Sequence, residues 1–386
     1  GLAAIQCALA SACLKSGHIL LMTLLPFYYY TPDILWPMSI SFTERSIWLG
    51  WTLIANRLGT LIAYSLAPWV CARFGRRGCL HIAIAGALGL AVMVAVAWYQ
   101  HAVIAMIIGV TWFGLCDYGQ LAVLGSAHQS DQTAVPRLSR LARLESVWLG
   151  GVFLGALVVL CLGDQWLPFV PYYIAVMALG ALWLRPIEST QSPAGNTPWW
   201  QLGISQVRLW LLVLVIEQCA WQLLIQWTPA VGASVFHWRA QSVGWMMMGC
   251  YAALILTTAS LIPWLVNQGW QRYCVMISVV CLLVGAVAIA SNHVMGYVIG
   301  DLIFSVGDVL LFTWLVDRML SETGQPAIVS VILFVCLLCM LVTDYLASHW
   351  LLGHIQWLGS YLLALISLLA LILVGCCWRF GRAFIH

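Results

Sequence analysis

Seven ionisable side chains stand inside stretches that are otherwise continuously apolar: Lys15, Arg57, Asp117, Glu217, Asp301, Asp308 and Asp344. If those stretches cross a bilayer, each charge costs about 2.5–3.5 kcal/mol on insertion scales unless it is paired or meets water. Two uses account for such a cost. One is structural, an ion pair that fixes how helices register; the other is functional, a side chain lining a wet central path. Positive charge at Lys15 and Arg57 would hold an anionic group, arginine bidentately and lysine as a point charge. A carboxyl without a basic neighbour is readily neutralised in a low dielectric and so can carry a proton. Proton coupling is therefore expected at Glu217 first and at Asp308 second.

Glu217 has the richest polar surroundings. Gln218, Gln222 and Gln226 recur every fourth residue, so on a helix they share a face, with Glu217 and Trp221 beside it. Such a stripe is expensive against lipid and reasonable against a wet cavity, with a hydrogen-bonded helix contact as the alternative. Substrate contacts are expected at Lys15, Arg57, Asp117, Tyr118, Gln218, Trp221, Gln222 and Asp308. His18, one turn beyond Lys15, is a titratable neighbour, and Tyr28-Tyr29-Tyr30 at the end of the same stretch is expected at a membrane interface.

The elements that position these residues follow from composition. The 386 residues are 63% hydrophobic and 8% charged, whereas a soluble domain carries about 25% charge. A β-barrel would alternate over about 10 residues, but these runs are continuous for about 20. The lipid bilayer is thus the expected environment. The net charge of +3 comes from basic residues scattered in short loops, which gives no footing for nucleic acid. Most of the fourteen cysteines lie inside apolar runs as packing residues, and no Cys/His group has metal-ligand spacing. There is no phosphate-binding Gly-x-x-x-x-Gly-Lys motif and no catalytic constellation. The chain is therefore expected not to be an enzyme and to need no cofactor, with a proton gradient as its energy source. The first apolar run starts at residue 1 without a basic leader. No cleavable signal is expected, and residues ahead of Gly1 are expected to be missing.

Cutting at polar and turn-rich breaks predicts an all-α integral membrane protein with twelve transmembrane helices. The first six spans run roughly 3–30, 45–70, 79–98, 102–126, 140–162 and 167–184, and the last six roughly 203–232, 243–266, 273–291, 294–317, 326–347 and 351–378. The segment 185–202, with Pro186, Pro193 and Pro198, reads as a linker. It separates an N-terminal six-helix bundle, 1–184, from a C-terminal one, 203–386. With the amino terminus in the cytoplasm, twelve arginines fall on the cytoplasmic side, and only Arg45 and Arg239 fall opposite. That asymmetry puts both termini in the cytoplasm. A faint repeat supports two pseudo-symmetric halves. Pro68-Trp69 ends span 2 and Pro263-Trp264 ends span 8, each followed by a turn containing Gly and Arg, while Asp117 in span 4 has Asp308 as its counterpart in span 10.

In span count, central linker and half-repeat the whole chain resembles the major facilitator superfamily of secondary transporters. The sharpest motif is the loop between spans 2 and 3. The family pattern there is Gly, three variable residues, Asp, a basic residue, a variable residue, Gly and two basic residues. Arg73, Gly75, Arg76 and Arg77 match its basic and glycine positions, whereas Ala72 stands in place of the acid and Pro68 in place of the first glycine. The resemblance implies a gating role for Arg73, Gly75, Arg76, Arg77 and Glu145, with Asp117 or Glu145 as surrogates for the missing acid. It also implies that spans 1, 4, 7 and 10 line the cavity, and Lys15, Asp117, Glu217 and Asp308 fall one in each. Span 5 has Gly150, Gly151 and Gly155 but lacks the proline of an exporter signature, and span 4 lacks the basic residue of many proton-coupled exporters.

The implied function is proton-coupled uptake, a symport, by alternating access. The substrate would be a polar anionic or zwitterionic small molecule such as a siderophore, an amino-acid-like metabolite or an organic acid. Proton-antiport export of drugs or metabolites is the alternative within the family. A membrane-embedded enzyme acting on lipid, or a non-transporting scaffold, is the alternative outside it. The resemblance further implies a monomer in a bacterial inner membrane.

Overall fold

The structure, a computed structural model, describes residues 2–36, 40–119, 136–186, 203–325 and 327–380. The described residues form helices joined by short turns. The N-terminal set is α1 (Leu2–Tyr30), α2 (Phe42–Gln100), α3 (Val103–Leu115), α4 (Arg137–Leu162) and α5 (Val170–Leu184). The C-terminal set begins with α6 (Ile204–Ile225), α7 (Thr228–Ser234), α8 (Ala240–Leu256) and α9 (Ile262–Asn267). It continues with α10 (Tyr273–Ala290), α11 (Val294–Thr323), α12 (Ile328–His349) and α13 (Leu358–Phe380). Ten helical stretches among the described residues are long and apolar enough to cross a membrane.

One of the ten, α2, has 59 residues. Straight, it would run about 90 Å, three times a hydrocarbon core. It is divided at Gly75, whose φ of 64° and ψ of −174° only glycine adopts readily. Spans 2 and 3 are therefore two crossings with a one-residue hinge, and the helix runs unbroken through Pro68 and on past the expected end of span 2 at 70. Gly269 takes φ 70° in the turn after α9, at nearly the same offset from Gly75 as Pro263 from Pro68. The approach to Pro263 differs from that to Pro68: the backbone widens into a π-turn at Thr257–Leu261 before α9. A π-turn accommodates the ring and the missing N–H of proline without ending the span.

Three other expectations need correction. Span 4 is represented by the 13-residue α3, which ends at Leu115 and leaves Asp117 and Tyr118 in non-helical backbone. Its expected continuation to 126 lies outside the described residues from 120 on, as does most of the 185–202 linker. Span 7 is two helices, because the chain turns at Gln226 and Trp227 before Pro229 starts α7 in its first turn. Tyr28 and Tyr29 are fully buried rather than interfacial, their hydroxyls bonded to the Leu167 carbonyl and to Thr52. The end of α1 is enclosed by its neighbours, so a location near a span end did not mean contact with lipid headgroups.

Local signals explain how α1 hands over to α2. Ser41 and Glu44 form a reciprocal capping box at the start of α2. Arg45 donates to the Tyr30 and Ile40 carbonyls, closing the carboxyl end of α1 with a positive charge.

Close packing inside each set rests on small residues. A Cβ on Gly151 would stand 2.1 Å from the Ala12 carbonyl oxygen, and one on Gly155 2.6 Å from that of Ser16, so α4 lies directly on α1. Gly150 meets nothing within 4 Å, so only two of the three span 5 glycines form the expected packing face. Gly114 and Asn56 bring α3 onto α2, and Gly285 and Gly300 bring α10 onto α11. The two sets touch each other as well. On the face away from Gly75, Gly50 of α2 abuts Ser348 of α12, and Gly244 of α8 abuts the backbone of Leu160 in α4. On the Gly75 face, Arg137 of α4 pairs with Asp317 of α11 at 2.7 Å, over a cluster of Leu138, Ala142, Ile262 and Leu265.

Candidate functional site

The intramembrane polar residues fall into three groups. The first lies in the N-terminal set. Lys15 Nζ is 3.4 Å from His18 Nδ1 and 5.0 Å over the Trp148 ring, a cation–π distance. His18 in turn stacks on Phe113 with ring centroids 4.6 Å apart. Lys15 and Asp117 line one cavity of about 20 Å³ together with Ser11, Phe113 and Trp148, space enough for a single water. An ammonium has three donors and His18 takes one at most, so the cavity is where the others can be met. Asp117, at the broken end of α3, lies within electrostatic reach of both Lys15 and Arg57.

The second group crosses between the sets and is centred on Arg57 of α2. Its Nη2 donates to Gln226 Oε1 at 2.9 Å and its Nη1 to Asn56 Oδ1 at 3.1 Å. Its Nε stands 3.6 Å from Asp344 Oδ2 in α12, with both side chains less than a tenth exposed. The other oxygen of Asp344 accepts from Trp227 Nε1 at 3.0 Å. Asn56 also donates to the Val110 carbonyl of α3, which ties the group back to the N-terminal set. Arg57 is therefore engaged by α12 and by the turn that follows α6, in the way a structural ion pair is.

The third group lies in the C-terminal set. Gln218 Nε2 donates to Glu217 Oε2 at 2.8 Å and lies 3.5 Å from Asp308 Oδ1 of α11, while its own oxygen accepts from Gln222 at 3.2 Å. Glu217 is fully buried, and its Oε1 has no hydrogen-bond partner. The three glutamines thus serve different neighbours: Gln218 the carboxyls, Gln222 the Gln218 side-chain oxygen, and Gln226, in the turn after α6, the arginine.

Other expected site residues stand apart from these groups. Tyr118 is buried with Tyr64, Leu333 and Leu337 in an apolar cluster between α2 and α12. Trp221 is packed in the main core. Glu145 accepts from Thr313 of α11 at 3.0 Å. Of the loop residues, Arg73 is exposed, Arg76 is buried and Arg77 is half-buried around Gly75.

Sequence reasoning left Asp344, Asn56, Trp148 and Trp227 out of the site. Asp344 carried a signal, a charge inside an apolar run; the two tryptophans were indistinguishable from the many others.

No family model and no curated protein matches the sequence, but solved structures match the fold over nearly its whole length. The human organic anion transporter MFSD10 (TETRAN) superposes with a TM-score of 0.74 at 14% identity, covering 96% of this chain and 99% of that one. A bacterial homologue of the iron transporter ferroportin in the outward-facing state gives 0.68 at 13% identity, covering 96% and 98%. The xylose transporter XylE from E. coli, in a partially occluded inward-open conformation, gives 0.63 at 16% identity, covering 98% and 97%. The helices, their order and their packing are those of major facilitator superfamily transporters, and the chain is a multi-pass membrane protein with that fold.

Proposed function

We propose that this protein is a secondary active transporter that couples a proton gradient to uptake of a polar anionic or zwitterionic small molecule. The observation that carries the reading is the sorting of buried charge: a lysine on a small polar cavity in one set, and two carboxyls gathered around one amide in the other. Lys15 supplies the anion-binding charge, since Arg57 is already engaged by Gln226 and Asp344. Glu217 and Asp308 supply the proton site, because two carboxyls this close are best accommodated with a proton between them. The two sets of helices rock against each other about the Arg57 contacts, exposing the centre to either face in turn. Among the fold neighbours are an organic anion transporter and a D-xylose–proton symporter, and both substrate charge and proton coupling are in keeping with that company. The protein works as a monomer in a bacterial inner membrane, with the arginine-rich face and both termini in the cytoplasm and no bound cofactor.

The test uses proteoliposomes with a pH-sensitive dye inside. Wild-type protein and Glu217→Gln are challenged with carboxylate-bearing metabolites, siderophores and cationic drugs. Proton movement driven by an anionic or zwitterionic compound, and lost in Glu217→Gln, is the expected result. A response to cationic drugs alone replaces uptake with antiport export. Undiminished proton movement in Glu217→Gln refutes the assignment of the proton site.

A further inference from the structure

A recess of about 230 Å³ opens between α1, α4 and α5, with Leu20, Val158, Val159, Leu162, Val170 and Val176 among its walls. An engineered apolar cavity of about 150 Å³ stays dry and takes up benzene, so apolar walls around a space of this size favour hydrocarbon over water. The hydroxyl of Tyr173, which also lines it, is already hydrogen-bonded to Ser16 Oγ. The recess is distinct from the cavity at Lys15. On α1, Leu20 and Leu24 lie about 140° and 180° round the helix from Lys15, and the two spaces share no lining residue.

Its open side faces lipid. Tyr172, Val176, Leu179 and Trp183 recur at spacings of four, three and four residues, which is one face of α5, and each is more than half exposed. In a spanning helix that face is turned to the bilayer. Tyr172 and Val176 belong both to this stripe and to the wall of the recess, so the recess is continuous with the lipid-facing surface. Its depth and rim fit one acyl chain. From Phe169 to Val176 the wall runs about 10 Å along the helix axis, two-thirds of the about 15 Å of hydrocarbon in one leaflet. At the end away from Gly75, where α2 finishes and α5 begins, the exposed hydroxyls of Tyr99 and Tyr172 lie 3.4 Å apart. Exposed phenols at span ends sit at headgroup level. An occupant with an apolar tail and a polar ester end matches both regions.

We propose that this recess binds one acyl chain of a phospholipid from the leaflet away from Gly75, with the ester region at Tyr99 and Tyr172. Leaving bulk lipid brings the chain no hydrophobic gain. What holds it is van der Waals contact with three helices at once, which a chain on a flat helix face does not make. The bound chain backs the seam between the two sets: Val158, Val159 and Leu162 flank Leu160, whose backbone meets Gly244 of α8. The site does not depend on the transport reading.

The test loads full-length protein in vesicles of phosphatidylethanolamine and phosphatidylglycerol doped with a phospholipid that carries a diazirine on one acyl chain. The protein is then extracted into mild detergent, washed free of loosely held lipid and irradiated, and labelled residues are mapped by mass spectrometry. Val158, Leu162 and Tyr173 line the recess, whereas Val284 of α10 is exposed elsewhere on the lipid-facing surface. The expected result is label on the recess residues and none on Val284, with the Tyr173 label lost in Val158→Trp, which fills the recess. Leu162→Trp fills it from another position and serves if Val158→Trp fails to fold. No retained lipid, label spread equally over Val284 and the recess, or a Tyr173 label that the filling variants leave unchanged overturns the proposal. Label on Tyr173 from a diazirine-bearing alkane but not from the phospholipid overturns it too, since the recess then takes small apolar solutes instead.

Discussion

Asp344→Asn isolates the charge that joins α12 to α2. The Trp227 N–H can still donate to the new side-chain oxygen, and Arg57 keeps Gln226 and Asn56, so the substitution removes charge and little else. At 3.6 Å the Arg57 Nε and Asp344 Oδ2 are too far apart for a good hydrogen bond, and their attraction is mainly coulombic. At an effective dielectric of about 20, that separation corresponds to about 4–5 kcal/mol. Both groups are buried, so screening is slight, and removing one partner of such a pair leaves a stranded charge at a cost of about 3–5 kcal/mol. Asp344→Asn should therefore lower stability by about that amount, measured by reversible denaturant titration in mixed micelles. Arg57→Gln with Asp344→Asn removes both charges, and the double variant should be more stable than Asp344→Asn alone, with a coupling energy of at least about 1 kcal/mol. The reasoning is refuted if Asp344→Asn unfolds with wild type, or if the two substitutions simply add.

The remaining expectations concern backbone strain, packing and substrate charge. Gly75→Ala forces a Cβ into a conformation nearly exclusive to glycine and should cost about 1–3 kcal/mol in the same titration; no loss would mean that the turn adopts another backbone shape. Gly151→Ala drives a methyl into the Ala12 carbonyl and should destabilise by about 1–3 kcal/mol. Gly150→Ala, with open space around it, should be neutral or gain up to about 1 kcal/mol from helix propensity. Equal effects at the two positions would contradict the α1–α4 contact. Lys15→Met should reduce uptake of an anionic substrate about 10- to 100-fold, the worth of a hydrogen bond to a charged group. The unfolding midpoint should stay or rise, and undiminished uptake would remove Lys15 from the binding site.

Much of the fold was legible in the sequence because apolar runs report directly on what meets lipid, and Gly75 announced a turn between two of them. Which side chains meet was not legible, for reasons visible in single residues. The four-residue spacing of Gln218, Gln222 and Gln226 placed them on one face of α6 but carried no information about which helix that face would meet. Arg57 and Asp344 are far apart in sequence, and nothing local to either points to the other. Gly150 and Gly151 look interchangeable in a motif, yet one residue is 100° of helix, so only one can face α1. Tyr28 and Tyr29 show the opposite failure: position near a span end suggested an interface, and tertiary enclosure overrode it. The break in span 7 did carry a signal, Pro229, which a reading by continuous hydrophobicity passes over.

The contact between the two sets of helices on the face away from Gly75 has a consequence for speed. At Gly50 and Gly244 the surfaces meet as bare backbone against a small side chain or another backbone, with little interlocking. A seam built of interdigitated side chains must change rotamers before it can part, as a close-packed core must. A smooth one separates by translation, with low friction. In the proposed transport cycle, reopening is then timed by the few polar bonds around Arg57, so Gln226, Trp227 and Asp344 set the rate while the shape of the seam is untouched.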